Sequence, residues 1–314
     1  MKNHRQILSS ALFCFIFSSA GIASTTPTDV YTLSQQVAAN IELIRLEMGI
    51  PEEDMTDIAI SNAQPREVYF QALTLFKKSN RLMFEQLRER VDDPAAPPKN
   101  IQPSDVFGLV DKANKIILQV KQSLNINETV TNESSNVERT PDEVYKLIIQ
   151  VNRTLNTLLQ NRFAPAEVYQ QITYGVGLAA SIMATVIATD RLGTEPVYVR
   201  KKTPTQVYRK LIDIYSIIHE VIKMSGENCL KIASSEYKRE NVSPSDVYDL
   251  SSLLVSELKY LHTLTPNASP AKSSYYPGDK LPSHVFQRAG RLENQISRLR
   301  QYVSTHKDWL MLKK

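Results

Sequence analysis

Thr26-Pro27-Thr28-Asp29-Val30-Tyr31 is the stretch that decides the fold, because the same string returns along the whole chain. Its other copies run from Gln64 through Pro65, Val68 and Tyr69; from Gln102 through Pro103, Val106 and Phe107; and from Thr140 through Pro141, Val144 and Tyr145. They continue from Ala164 through Pro165, Val168 and Tyr169, and from Thr203 through Pro204, Val207 and Tyr208. The last two run from Ser243 through Pro244, Val247 and Tyr248, and from Leu281 through Pro282, Val285 and Phe286. The eight prolines are separated by 38, 38, 38, 24, 39, 40 and 38 residues. Recurrence at so even a spacing identifies a structural repeat.

Each string reads as a helix start. Thr or Ser as N-cap accepts from the first free backbone N–H groups, and proline at the first helical position lacks only an N–H that would be orphaned there. Asp, Glu or Gln three residues after the cap closes a capping box and meets the positive end of the helix dipole. Ala164 and Leu281 cannot cap by side chain, and His284 replaces the acid, so those copies are expected to be weaker.

Downstream of each valine the apolar residues fall at offsets 0, 7, 11 and 14, as in Val30, Val37, Ile41 and Ile44, or Val207, Ile214, Ile218 and Val221. That three-four seam predicts helices of about 20 residues, roughly 30 Å long, packed along one face. The fold class expected is all-α: an eight-helix repeat array or two fused four-helix bundles with long Pro-, Asn- and Ser-rich linkers. Most linkers are a dozen residues or more, such as Asp92 to Asn100, whereas Asn161-Arg162-Phe163 leaves almost no loop and predicts a tight antiparallel hairpin. A dozen extended residues span about 40 Å, enough to run back along a helix and start a parallel neighbour. Antiparallel neighbours are the usual outcome in bundles and are the expectation here. The short junction divides the chain into repeats 1–4 (24–163) and 5–8 (164–314), two domains or one continuous body.

The first residues suggest export. Lys2 and Arg5 precede an apolar stretch from Ile7 to about Ile22, and Gly21 and Ala23 offer a small-residue exit. This pattern predicts a signal peptide over 1–23, against the alternative of a retained anchor. The expected location is the periplasm if the source is bacterial, with secretion as the second choice. Beyond residue 23 one cysteine remains, Cys229, so no internal disulfide can form and packing must hold the fold. Residues 24–163 carry a net charge of −4 and 164–314 a net of +6. The balance gives no footprint for nucleic acid, although opposite halves permit self-association.

Between Glu167 and Asp190 lie 22 uncharged residues, among them Gly175, Gly177, Ala179 and Ala180. The length would suffice for a membrane span. Gln170, Gln171 and three threonines argue against one, and the fifth helix is expected to be the central element joining both halves. The aromatics at 31, 69, 107, 145, 169, 208, 248 and 286 are expected to seal the bundle ends, their hydroxyls reaching water or linker backbone; a repeated aromatic binding surface is the sharper reading.

Chemistry is thin in this sequence. His219-Glu220 is not followed by a second histidine four residues on, and there is no Cys-x-x-Cys-His, Gly-x-Ser-x-Gly, phosphate loop or Asp-x-Asp-x-Asp-Gly calcium loop. No catalytic, cofactor-binding or metal-binding set emerges, and no cofactor is expected. His219 reads as a half-buried helix residue, Cys229 as a linker or helix-end residue, and Arg200-Lys201-Lys202 as a solvated loop. The tail around Trp309 is expected to dock on the bundle. The function expected is that of a non-enzymatic scaffold or protein-binding module, its partner another envelope or secreted protein. The alternative is a small-molecule sensor or carrier with a pocket in the bundle core, for which Asn152, Asn156 and Tyr215 are the polar candidates.

Overall fold

The computed structural model describes residues 25–53, 57–95, 97–98, 100–131, 137–160, 164–186, 193–272 and 278–310. The expected signal peptide (1–23) lies outside these residues, as does the junction Asn161-Arg162-Phe163. Every copy of the string starts a helix at its proline: α1 Pro27–Glu47, α2 Pro65–Leu87, α3 Pro103–Ser123, α4 Pro141–Leu158, α5 Pro165–Val186, α6 Pro204–Met224, α7 Pro244–Leu264 and α8 Pro282–Thr305. Two short strands, β1 (Ile60–Ser61) and β2 (Lys231–Ile232), pair antiparallel between linkers.

The third residue of each helix is the constant part of the start. Its side chain accepts from the N-cap backbone N–H at Asp29 (2.7 Å), Glu67 (2.6 Å), Asp105 (2.7 Å), Glu143 (2.8 Å), Gln206 (3.1 Å) and Asp246 (2.8 Å). The two copies expected to be weak keep this bond. Glu167 accepts from Ala164 N at 2.8 Å, and His284 Nδ1 accepts from Leu281 N at 3.0 Å, so an imidazole nitrogen stands in for the carboxylate. The reciprocal bond, in which the cap hydroxyl accepts from the backbone N–H of that third residue, is made where Thr or Ser stands: Thr26, Thr140, Thr203 and Ser243.

The helices within each half are parallel, which corrects the antiparallel expectation. Pro27, Pro65, Pro103 and Pro141 with Val30, Val68, Val106 and Val144 surround one gap of about 20 Å³. Pro165, Pro204, Pro244 and Pro282 with Val168, Val207, Val247 and Val285 surround a second of the same size. All four starts of a half therefore meet at one end. The linkers make this possible by returning along the helices with their backbone groups satisfied. Val91 N donates to Asn80 Oδ1 at 2.9 Å, and Asn80 Nδ2 donates back to Val91 O at 2.7 Å, which straps one linker to α2. Another crosses α8 at Gly290, where a Cβ would stand 3.0 Å from the Pro196 ring, and Gln287 Nε2 donates to Pro196 O at 2.8 Å.

Both halves have the same ring order, α1-α3-α2-α4 and α5-α7-α6-α8, so α1 stands diagonally from α2 and α3 from α4, whereas α2 and α3 are neighbours. The offsets 0, 7, 11 and 14 fill the axis: Val30, Val37, Ile41 and Ile44 are all buried, as are Val285, Leu292, Ile296 and Leu299. The halves dock through α7 against α2 and α4. Arg66 near the start of α2 meets Glu257 late in α7, while Lys78 further along α2 meets Asp249 near the start of α7. The two bundles therefore run in opposite directions, setting one group of helix dipoles against the other. A reversal of direction between α4 and α5 follows, but the two helices do not pack against each other as a hairpin pair would.

The fifth helix is not the central element. α5 is one member of the second ring, and its Gln170, Gln171, Thr173 and Tyr174 are half-buried. α7 takes the central place, buried without a break from Ser245 to Leu258. The reason is physical: α7 buries carboxylates, and their cations arrive from elsewhere in the chain. Among the described residues no helix is long and apolar enough to cross a membrane.

Candidate functional site

The signature residues are structural in position. The eight prolines and eight valines ring the bundle ends, and the aromatics divide into two groups. Tyr69, Tyr145, Tyr208 and Tyr248 are buried, whereas Tyr31, Phe107, Tyr169 and Phe286 are half-buried. Three of the second group carry a cation over the ring: Arg139 at 4.4 Å from Tyr31, Lys202 at 4.3 Å from Phe286 and Arg288 at 4.9 Å from Tyr169. Four of the tyrosine hydroxyls reach side chains. Tyr208 donates to Glu236 at 2.8 Å, Tyr145 and Tyr248 accept from Gln71 and Gln171 at 3.4 and 3.3 Å, and Tyr169 accepts from Arg288.

What sequence reasoning missed is the polar seam between the bundles. At one end Arg66 reaches Glu67 at 3.0 Å and Glu257 at 3.4 Å, with its guanidinium 3.9 Å from the Tyr260 ring centroid. Glu67 also accepts from Leu230 N at 3.1 Å while capping α2. Further along, Lys78 lies 3.6 Å from Asp249 and donates to Asn152 O at 3.0 Å. Arg153 spans Asp246 at 2.8 Å and Asp249 at 3.5 Å, and Arg239 joins Asp246 to Glu236. Glu67, Lys78 and Glu257 are wholly buried.

Burial dominates the electrostatics of this seam. It lowers the Lys78 ammonium and raises the Asp249 carboxyl, against the attraction each has for the other. Burial, and then the neighbouring Glu67 carboxyl, hold Glu257 well above the ordinary carboxylate range. A proton on Glu257 makes it a donor toward Glu67 and leaves four cations (Arg66, Lys78, Arg153, Arg239) facing four carboxylates. Such neutrality is what a water-poor seam requires. Tyr145 and Tyr215 lie near the same carboxyls and are also raised, first by burial.

The polar candidates do not converge on a core pocket. Asn152 Nδ2 donates to Gln71 O at 3.1 Å, Tyr215 donates to Leu230 O at 2.7 Å, and Asn156 is buried in α4. The histidines are spread out. His219 is half-buried and lowered by burial and then by Lys223; His262 Nε2 lies 3.1 Å from Ser181 Oγ; His306 stacks on Tyr302 with centroids 4.1 Å apart. Cys229 is buried beside β2, and burial with the nearby carboxylates pushes its thiol up to about 12. Arg200 and Lys201 are exposed, as a solvated loop requires, while Lys202 rests over Phe286. Trp309 docks as expected: it is buried, and its Nε1 donates to Ser225 Oγ at 2.8 Å at the end of α6. Among the described residues no group of three or more His, Cys, Asp or Glu could hold a metal ion.

Open space lies at the surface. A cleft of about 430 Å³ runs between α2, α5 and α7. One of about 520 Å³, lined by Glu42, Glu52, Glu53 and Arg45, lies beside α1 and α4. Another of about 490 Å³ holds Phe84, whose ring centroid is 4.1 Å from the Arg90 guanidinium. No protein-family model matches the chain, and neither a curated protein nor a solved structure matches it.

Proposed function

We propose that the protein is an exported, non-enzymatic scaffold that holds another envelope or secreted protein against a rigid helical body. The observation that carries this reading is an exposed apolar patch at the start of α8. Val197, Val199 and Leu281 are 87%, 47% and 60% exposed. Val197 and Val199 flank Tyr198, whose ring lies 5.0 Å from that of His284, and His284 in turn caps Leu281. Isolated surface apolar residues are ordinary, but a set brought together from a strapped linker and the N-cap of α8 is the kind of surface that a protein partner covers. Rigidity supports the same reading, since the buried charges tie the two bundles to each other and a partner would meet a preformed surface. The alternative, a carrier with a ligand in the bundle core, has less support because the gaps at the helix starts are only about 20 Å³.

The test is affinity capture of the tagged, exported chain from its native envelope, beside the variant Val197→Asp/Leu281→Asp. Recovery of one stoichiometric protein by the parent chain, lost in the folded variant, is the expected result. A chain recovered alone, or a partner retained equally by the variant, overturns the reading.

A further inference from the structure

The cleft between α2, α5 and α7 has a composition that the scaffold reading does not use. Its volume of about 430 Å³ falls within the range of small-ligand pockets, about 300–1,000 Å³. Phe70, Leu73, Tyr174 and Val255 supply an apolar wall, and Gln171 and the Tyr248 hydroxyl, joined at 3.3 Å, supply a polar one. The charged residues that line it are Lys77, which is exposed, and Lys259, which is half-buried. No carboxylate lines it among the described residues. Lys259 Nζ lies 5.3 Å from the centroid of the Phe70 ring.

Two lysines therefore line one concavity that no carboxylate lines among the described residues, although Lys77 also borders the cleft that holds Glu85 and Asp93. Burial lowers Lys259, and the Lys77 charge lowers it further. Elsewhere at the junction of the bundles the fold matches cation to carboxylate closely, as Arg153 does with Asp246 and Asp249. The surplus of positive charge in the lining is thus particular to this cleft. An anion seated there would form charge-assisted hydrogen bonds to both lysines, and an apolar body would cover Leu73 and Val255.

We propose that this cleft binds a small organic anion, a carboxylate carried on a short apolar body, with Lys259 and Lys77 holding the carboxylate and Phe70, Leu73, Tyr174 and Val255 holding the body. The site is independent of the scaffold reading, because it shares no residue with the apolar patch. It also spans both bundles, so an occupant would touch α2 of the first and α5 and α7 of the second.

Isothermal titration of the full chain with octanoate, with 1-octanol as the uncharged match and with inorganic phosphate tests the proposal. Octanoate should bind one to one, and 1-octanol and phosphate each roughly tenfold more weakly or less, the loss expected when a charged hydrogen bond or an apolar contact is removed. Lys259→Met keeps the stem and removes the charge; it should weaken octanoate about tenfold and leave 1-octanol unchanged. Bound octanoate should also raise the Lys259 pKa, read from its side-chain NMR shifts. Should Lys259→Met lose its helical signal, the exposed position supplies the same comparison as Lys77→Ser. Failure of octanoate to bind, equal binding of 1-octanol or phosphate, or an unchanged affinity in the lysine variants overturns the proposal.

Discussion

Glu257 shows how a single residue can set the charge of the whole seam. It is wholly buried, faces Glu67 and Arg66, and lies close to Tyr145, Tyr215 and Cys229, none of which supplies a second positive charge. Its carboxyl is raised well above 4.5, first by burial and then by Glu67. The folded chain therefore keeps a proton that the unfolded chain loses as pH passes 4.5. Stability from this group is complete below the unfolded value and is lost as pH rises toward the folded one. Glu257→Gln mimics the protonated acid and cannot ionise. Melting temperatures measured from pH 4 to 8 should coincide for parent and variant at the acid end and separate upward in pH, with the variant more stable. A gap that narrows with rising pH would contradict this assignment.

At the scale of the element, direction was the feature that the sequence left open. The start of every helix is legible to the residue, because proline, an N3 acceptor and a seam valine coincide only there. Parallel packing was not legible, since a dozen-residue linker permits either direction and the deciding contacts are single: Asn80 with Val91, and Pro196 against Gly290. Cross-linking measures it directly. Neighbouring α1 and α3 should join through a short bis-maleimide when cysteines are placed at Thr28→Cys and Ser104→Cys, both at helix starts. The pair Thr28→Cys and Gln122→Cys, about 27–30 Å apart along a parallel helix, should not join. Cys229 does not compete, because it is buried and its thiol is pushed up to about 12; Cys14→Ser removes the other native thiol. The reverse pattern would restore the antiparallel expectation.

At the scale of the molecule, the question is whether two similar bundles behave as one body. Periodicity made each bundle readable but hid the seam: Asp246, Asp249 and Glu257 look like a solvated face of α7 until Arg153, Lys78 and Arg66 arrive from the other half. The cleft was hidden for a related reason, as Lys77 and Lys259 read as ordinary surface charges on separate helices. Arg153 is the side chain on which the seam turns, being 6% exposed and paired with two carboxylates. Arg153→Leu leaves Asp246 with Arg239 and Asp249 with Lys78, and brings both carboxylates against an apolar side chain. Breaking a buried pair by removing one partner costs about 3–5 kcal/mol. Because that loss falls on the contact between bundles and not within either ring, it should separate their unfolding. Trp309, the chain's one tryptophan, sits against the end of α6 and reports the second bundle, whereas far-UV circular dichroism reports both. In urea the parent chain should show coincident fluorescence and dichroism transitions, the mark of one cooperative body. In Arg153→Leu the two curves should part, each with a smaller denaturant slope than the parent's, because each bundle exposes less surface than the whole. Coincident curves in the variant at an unchanged midpoint would mean that the bundles are coupled by the apolar contacts of α2 with α7 alone.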